Sequence, residues 1–135
     1  MTHVSKHQLK PVHLKQLFSQ FSKISAKLDK NTALYFFDDL LGPEEKIMLA
    51  KRLAAIVMCI EGNSPYRVSQ LLYMSPSTTE RIKLNHQIGK YENIEKLLST
   101  HKADYIEFWK TLEIILQAGM PPMGRGRWMS FFKQN

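Results

Sequence analysis

Residues 64–85 read SPYRVSQLLYMSPSTTERIKLN, with a Ser-Pro pair at Ser64-Pro65 and a second at Ser75-Pro76. A serine hydroxyl can accept from the free N–H groups of a helix's first turn, and proline fits the first helical position, so each pair marks a helix start. The first helix must therefore end within a few residues, at a tight turn near Tyr73 and Met74. Two short helices packed at a steep angle need apolar anchors at fixed offsets and a small residue where they cross. Val68 and Leu72 are the expected anchors, Ser69 is the small residue, Met74 packs after the turn, and Ile82 continues the buried face of the second helix. The expectation is a helix-turn-helix over residues 65 to about 90.

Two positions depart from the usual pattern. Tyr73 stands at the turn, where glycine commonly supplies a positive φ and a bulky residue meets steric resistance. Thr79 occupies an inner site more often filled by Val or Ile. The spacing at Val68, Leu72, Met74, Ser75, Thr78, Arg81 and Ile82 holds nonetheless.

Such a unit places its second helix in the major groove of DNA. Pro76, Ser77, Glu80, Arg81 and either Leu84 or Asn85 then face outward. Hydroxyls at the helix start can meet phosphates or base edges, an arginine can pair with guanine or phosphate, and a glutamate can accept from cytosine. The expected DNA-contacting set is Tyr66, Arg67, Ser75, Ser77, Thr78, Glu80, Arg81, Lys83 and Asn85. His86 ends the helix, either touching DNA backbone or simply exposed.

Outward from the motif, the chain reads as helix after helix. Leu14, Leu17, Phe18, Phe21, Ile24 and Leu28 recur at steps of three and four, which marks one apolar helix face. Asn31 to Leu41 (NTALYFFDDLL) is a short, strongly apolar helix. Gly42 is the expected N-cap of a long helix, with Pro43 in its first position and Glu44 and Glu45 in its first turn, where acids complement the helix dipole. Spacing predicts that this helix buries Met48, Leu49, Leu53, Ile56, Val57 and Ile60, and that Gly62 takes a left-handed C-terminal cap. Downstream, Ile94 to Leu98 and Tyr105 to Leu116 are expected helices, the latter with Ile106, Trp109, Leu112, Ile115 and Leu116 on one side and Gly119 as its stop.

The 135-residue chain suits one domain, and 44% hydrophobic residues mark it as globular. Its organisation reads as a flexible N-terminus over 1–10, a helical domain over 11–118 and a basic, aromatic tail over 119–135. That tail carries Arg125, Arg127 and Lys133 beside Trp128, Phe131 and Phe132; its arginines could enter a minor groove or follow phosphates, and packing of its aromatics on the body or a partner is favoured over stacking on DNA. Nineteen Lys plus Arg against twelve Asp plus Glu give a formal charge of +7, which makes a polyanionic partner plausible without establishing one. No apolar run approaches the roughly 20 residues of a membrane span, and no signal peptide is evident. The single Cys59 fits core packing in a reduced, cytoplasmic, nucleoid-associated setting. His3, His7 and His13 lack a Cys or carboxylate companion and are expected to be a polar terminus, with no metal site. Asp38 and Asp39 are adjacent, so on a helix they point about 100° apart and do not converge on a reacting bond. Neither a phosphate loop nor a nucleophile elbow is present, and enzyme activity is not expected.

The stretch LGPEEKIMLAKRLAAIVMCIEGNSPYRVSQLLYMSPSTTERI, residues 41–82, resembles the Trp repressor family: a long helix begun by Pro-Glu-Glu, a glycine, then the helix-turn-helix. The flanking helices match in outline. The resemblance implies an all-α fold and an intertwined homodimer, in which Leu14 to Leu41 are interface as much as core. It also implies a transcriptional regulator of repressor type that reads a palindromic operator in double-stranded DNA with two heads about one DNA turn apart.

The same resemblance implies a corepressor pocket for L-tryptophan or another amino acid, framed by Arg52 on the long helix and Arg81 on the second reader helix, with Thr78 and Asn85 alongside. Several residues depart from the family's pocket. Gly42 replaces a threonine, Ile82 replaces a glycine where an indole needs room, and Asn85 stands where a serine is found. These departures favour a regulator that acts without a corepressor; a tryptophan-responsive repressor proper is one alternative. Others are a helical protein-interaction adaptor and the DNA-binding part of a mobile-element enzyme.

Overall fold

The computed structural model describes residues 8–116. The first seven residues, with His3 and His7, and the tail from 117 onward, with its expected helix stop, basic residues and aromatics, lie outside them. Among the described residues there are seven helices and no strand: α1 (Pro11–Ser25), α2 (Lys30–Leu40), α3 (Pro43–Ile60), α4 (Pro65–Leu72), α5 (Pro76–Gln87), α6 (Glu92–Thr100) and α7 (Lys102–Leu116). The chain is all-α, as its periodicity predicts. It divides into two compact units, at Leu49 and Ala50.

In the first unit α1 opens with Pro11 in its first turn, and α2 is fixed at its start by Asp29. The Asp29 carboxylate accepts from the backbone N–H of Asn31 and Thr32, while the Thr32 hydroxyl accepts from the backbone N–H of Asp29. This reciprocal cap satisfies donors that a helix start leaves free. Hydrogen bonds to Thr32 and then to Asn31 hold the Asp29 carboxyl below the usual carboxylate range. Gly42 caps α3 in a related way, its N–H donating to Glu45 Oε1 at 2.9 Å. Lys46 and Asp38 form an exposed ion pair at 2.7 Å.

Phe18, Phe21, Phe36 and Phe37 form a chain of ring contacts between α1 and α2, with centroids 5.2–6.3 Å apart. Yet none of the described residues up to Leu49 is buried. Leu14, Leu17, Phe18 and Ile24 of the expected α1 face are each at least half exposed, as are Leu34 and Tyr35 of α2.

In the second unit the core gathers the end of α3 with Val68 and Leu72 of α4, Ile82 of α5, and Tyr105, Trp109, Leu112 and Leu116 of α7. Tyr91, Ile94 and Leu98 pack against it part-buried. Trp109, fully buried, is its largest side chain. The Tyr105 hydroxyl donates to Glu61 Oε2, joining α7 to the residue that follows α3.

Two expected faces need correction. On α3, Met48, Leu49 and Leu53 are exposed and Ile60 is only part-buried, whereas every residue from Ala54 to Cys59 is buried. A one-sided stripe describes a helix lying on a surface; six consecutive buried residues mean that α3 is enclosed all round there. On α7 the buried set is Tyr105, Trp109, Leu112 and Leu116, spaced 4-3-4, which leaves Ile115 exposed and Ile106 at the margin. Cys59 is in the core as expected, and desolvation pushes its thiol up from its ordinary value.

Candidate nucleic-acid interface

The end of α3 sets up the motif. Gly62 takes a φ of 95°, its N–H donates to the Cys59 carbonyl, and the Asn63 N–H donates to the Met58 carbonyl at 3.0 Å. This paired pattern is the left-handed helix stop that a glycine permits. The Asn63 side-chain amide also donates to the Met58 carbonyl. The chain is thereby turned into Ser64, whose hydroxyl accepts from the Arg67 N–H at 3.2 Å and starts α4.

On α4, Val68, Ser69 and Leu72 are buried. Ser69 is small enough for a close crossing, and its hydroxyl is satisfied by donating to the Tyr66 carbonyl at 2.7 Å. The turn is made by Tyr73, with φ 55° and ψ 50°. The Tyr73 and Met74 N–H groups both donate to the Ser69 carbonyl, and Lys51 Nζ donates to the Tyr73 carbonyl at 3.3 Å. The left-handed conformation costs a non-glycine residue roughly 1–2 kcal/mol. Sequence spacing anticipates the strain at Tyr73; it gives no sign of Lys51, which is 22 residues away.

Ser75 starts α5 by accepting from the Thr78 N–H at 3.2 Å, and its hydroxyl lies 2.8 Å from that of Thr78 and 3.2 Å from that of Ser77. Thr79 is fully buried. Its hydroxyl donates to the Pro76 carbonyl, so a threonine replaces a branched hydrocarbon there without leaving an orphaned donor. Ile82, one helical step further, is buried too.

The opposite side of α5 is open. Ser77, Thr78, Glu80, Arg81, Lys83 and Leu84 are all exposed. On the neighbouring α4, Tyr66 is exposed and Arg67 half-buried. No acid occupies the first turn of α4 or α5, as is also true of α1 and α2, whereas α3, α6 and α7 carry acids there. An acid-free helix start leaves its positive dipole end unneutralised, which favours an anion nearby.

Asn85 and His86 depart from expectation. Asn85 is half-buried, and its amide donates to the Tyr91 hydroxyl at 3.4 Å, so Leu84 and not Asn85 completes the outer face. His86 is tied to Glu95 at 3.0 Å and is only about one-fifth exposed. Helical spacing cannot reveal either partner, because Gly89, at φ 80°, turns the chain between them.

Of the residues suggested for an amino-acid ligand, Arg52 and Arg81 are exposed on α3 and α5, the Thr78 hydroxyl is engaged by Ser75, and Asn85 is engaged by Tyr91. Among the described residues no group of His, Cys, Asp and Glu has the arrangement to hold a metal ion, and no helix is long and apolar enough to cross a membrane. No family model, curated protein or solved structure matches the chain.

Proposed function

We propose that the protein is a sequence-specific DNA-binding transcriptional regulator of repressor type, acting as a homodimer of the Trp repressor kind on a palindromic operator. The observation that carries this reading is the division of α4 and α5 into an inner and an outer face. Val68, Ser69, Leu72, Thr79 and Ile82 lock the two helices together, and Ser77, Thr78, Glu80, Arg81 and Lys83 are left facing solvent beside an acid-free helix start. Hydroxyls and one guanidinium on the first two turns of a helix are the groups that reach base edges and phosphates in a major groove. The dimer is supported by the exposed Leu14, Leu17, Phe18 and Ile24 of α1 and Leu34, Tyr35 and Leu40 of α2, apolar side chains that a second copy could cover.

The regulator acts without an amino-acid corepressor. Asn85 is half-buried with its amide on Tyr91, and the Ile82 side chain fills the interior beside Arg81. Calorimetry with tryptophan checks this: binding heat that vanishes in an Arg52→Ala protein would overturn it.

Fluorescence anisotropy with labelled duplex DNA tests the main claim. Affinity should fall steeply and linearly in log–log form as salt rises, and Arg81→Ala with Lys83→Ala should flatten the slope by about two per head, about four for the dimer. Affinity that is flat between low and high salt would sink it. The exposed α1 and α2 surface also favours a second reading, a helical protein-interaction adaptor. An adaptor keeps its partner when Arg81 and Lys83 are replaced.

A further inference from the structure

Tyr73 is the only non-glycine residue among those described that has a left-handed backbone. Its side chain is 87% exposed, so it buries almost nothing that would offset the strain. Glycine would take the same conformation without steric cost. The turn is closed by backbone donors to the Ser69 carbonyl and by Lys51 on the Tyr73 carbonyl, and the phenol takes part in none of these contacts. A strained residue whose side chain does nothing for the fold points to a use outside it.

We propose that Tyr73 donates its phenolic O–H to a phosphate of the DNA backbone, next to the bases that α5 reads. This rests on the DNA-binding reading above. Three features favour a phosphate over a base. The turn leads directly into the acid-free start of α5, where the Ser75, Ser77 and Thr78 hydroxyls are gathered and suit an anion. A phenol offers a single donor, without the bidentate pattern that distinguishes one base from another, and tyrosine is among the side chains that hydrogen-bond phosphate oxygens. Because Tyr73 precedes the helix, the contact fixes how α5 enters the groove and carries no sequence information itself.

The contact is neutral, so it displaces no counterion, and this separates it from a lysine or arginine contact. Tyr73→Phe should weaken operator and random duplex alike, by about tenfold per head and so about a hundredfold for the dimer, with the salt slope unchanged. Tyr73→Gly should lose at least as much affinity while unfolding at the same or a higher urea concentration. Equal binding by wild type and Tyr73→Phe overturns the phosphate contact and leaves the DNA-binding reading standing. A Tyr73→Gly protein whose solution mass differs from wild type assigns the ring to a protein contact and also overturns the proposal. If the wild-type protein binds no duplex at any salt, the underlying reading falls first, and the Tyr73 proposal with it.

Discussion

His86 Nε2 lies 3.0 Å from Glu95 Oε1, and this pair joins the last turn of α5 to the first turn of α6 across the left-handed Gly89. With Asn85 on Tyr91, it holds the far end of α5 from the inner side and leaves the outer side clear. Glu95→Ala should lower stability by about 0.5–1.5 kcal/mol in urea unfolding, since one partly buried hydrogen bond is lost and the imidazole keeps some access to water. DNA affinity should drop only by the fraction of molecules unfolded. A loss of affinity without a loss of stability would mean that Glu95 acts on DNA geometry.

The serine caps of α4 and α5 are matched in form and differ in position. Ser64→Ala and Ser75→Ala each remove one acceptor from a first-turn N–H. Each should cost about 1 kcal/mol in unfolding free energy. Only Ser75→Ala should also weaken DNA binding beyond that cost, because Ser75 heads α5, the helix that the proposed function places in the groove. Equal effects of both on DNA would argue against α5 as the reader.

Trp109 is fully buried at the centre of the second unit. Trp109→Ala should cost about 3–5 kcal/mol, enough to unfold a small domain of ordinary stability. Its effect should appear as loss of the cooperative urea transition. Thr79→Val is the contrasting case. It gives up one internal hydrogen bond for a methyl group of nearly equal volume and leaves the Pro76 carbonyl without that donor. The expected change is within about 1 kcal/mol.

What the sequence revealed of this fold was set by the range of the signal. Caps and turns are local: Ser64, Ser75, Gly62 and the strained Tyr73 stand where serine, proline and glycine chemistry puts them, whereas α6 and α7, which lack such a start, begin two and three residues before the expected Ile94 and Tyr105. Inner and outer faces of α5 follow from a single period and were legible for Thr79, Ile82, Ser77 and Arg81. Faces that depend on what lies opposite were not. Ala54 and Ala55 are buried because other helices close over α3, while Met48 and Leu53, more apolar by composition, are exposed. Lys51 with Tyr73, His86 with Glu95 and Tyr105 with Glu61 are pairings across turns or between helices, invisible to any helical repeat.

Leu17 and Phe18 are exposed on α1, and the homodimer proposed above covers them. Leu17→Glu with Phe18→Glu should convert a particle of twice the 15.7 kDa chain mass into one of single mass, read by light scattering. Two charges placed in an apolar contact cannot be desolvated without a partner. DNA affinity should fall by much more than the salt-dependent share of one head, since two half-sites would no longer be engaged together. A wild-type protein of single mass would overturn the dimer.

The Asp29 cap sets a pH dependence. Its folded value lies below the unfolded one, so its stabilisation of α2 is complete above the ordinary carboxylate range and is lost as pH falls through the folded value. Protection of the Asn31 and Thr32 amides, taken relative to their intrinsic exchange at each pH, should therefore fall below about pH 4 in the wild type. In an Asp29→Ala protein that protection should already be low at neutral pH and show no such step.

Residues 8–49 contain helices and ring contacts but no buried side chain. Order in that half, if a second copy supplies the cover, becomes a mass-action quantity: its melting midpoint rises with total protein concentration, while that of the half built around Trp109 stays constant. Dilution would then melt the first half and leave the reader helices folded. The number of molecules in a cell, as well as their sequence, would decide when two reader heads are held together.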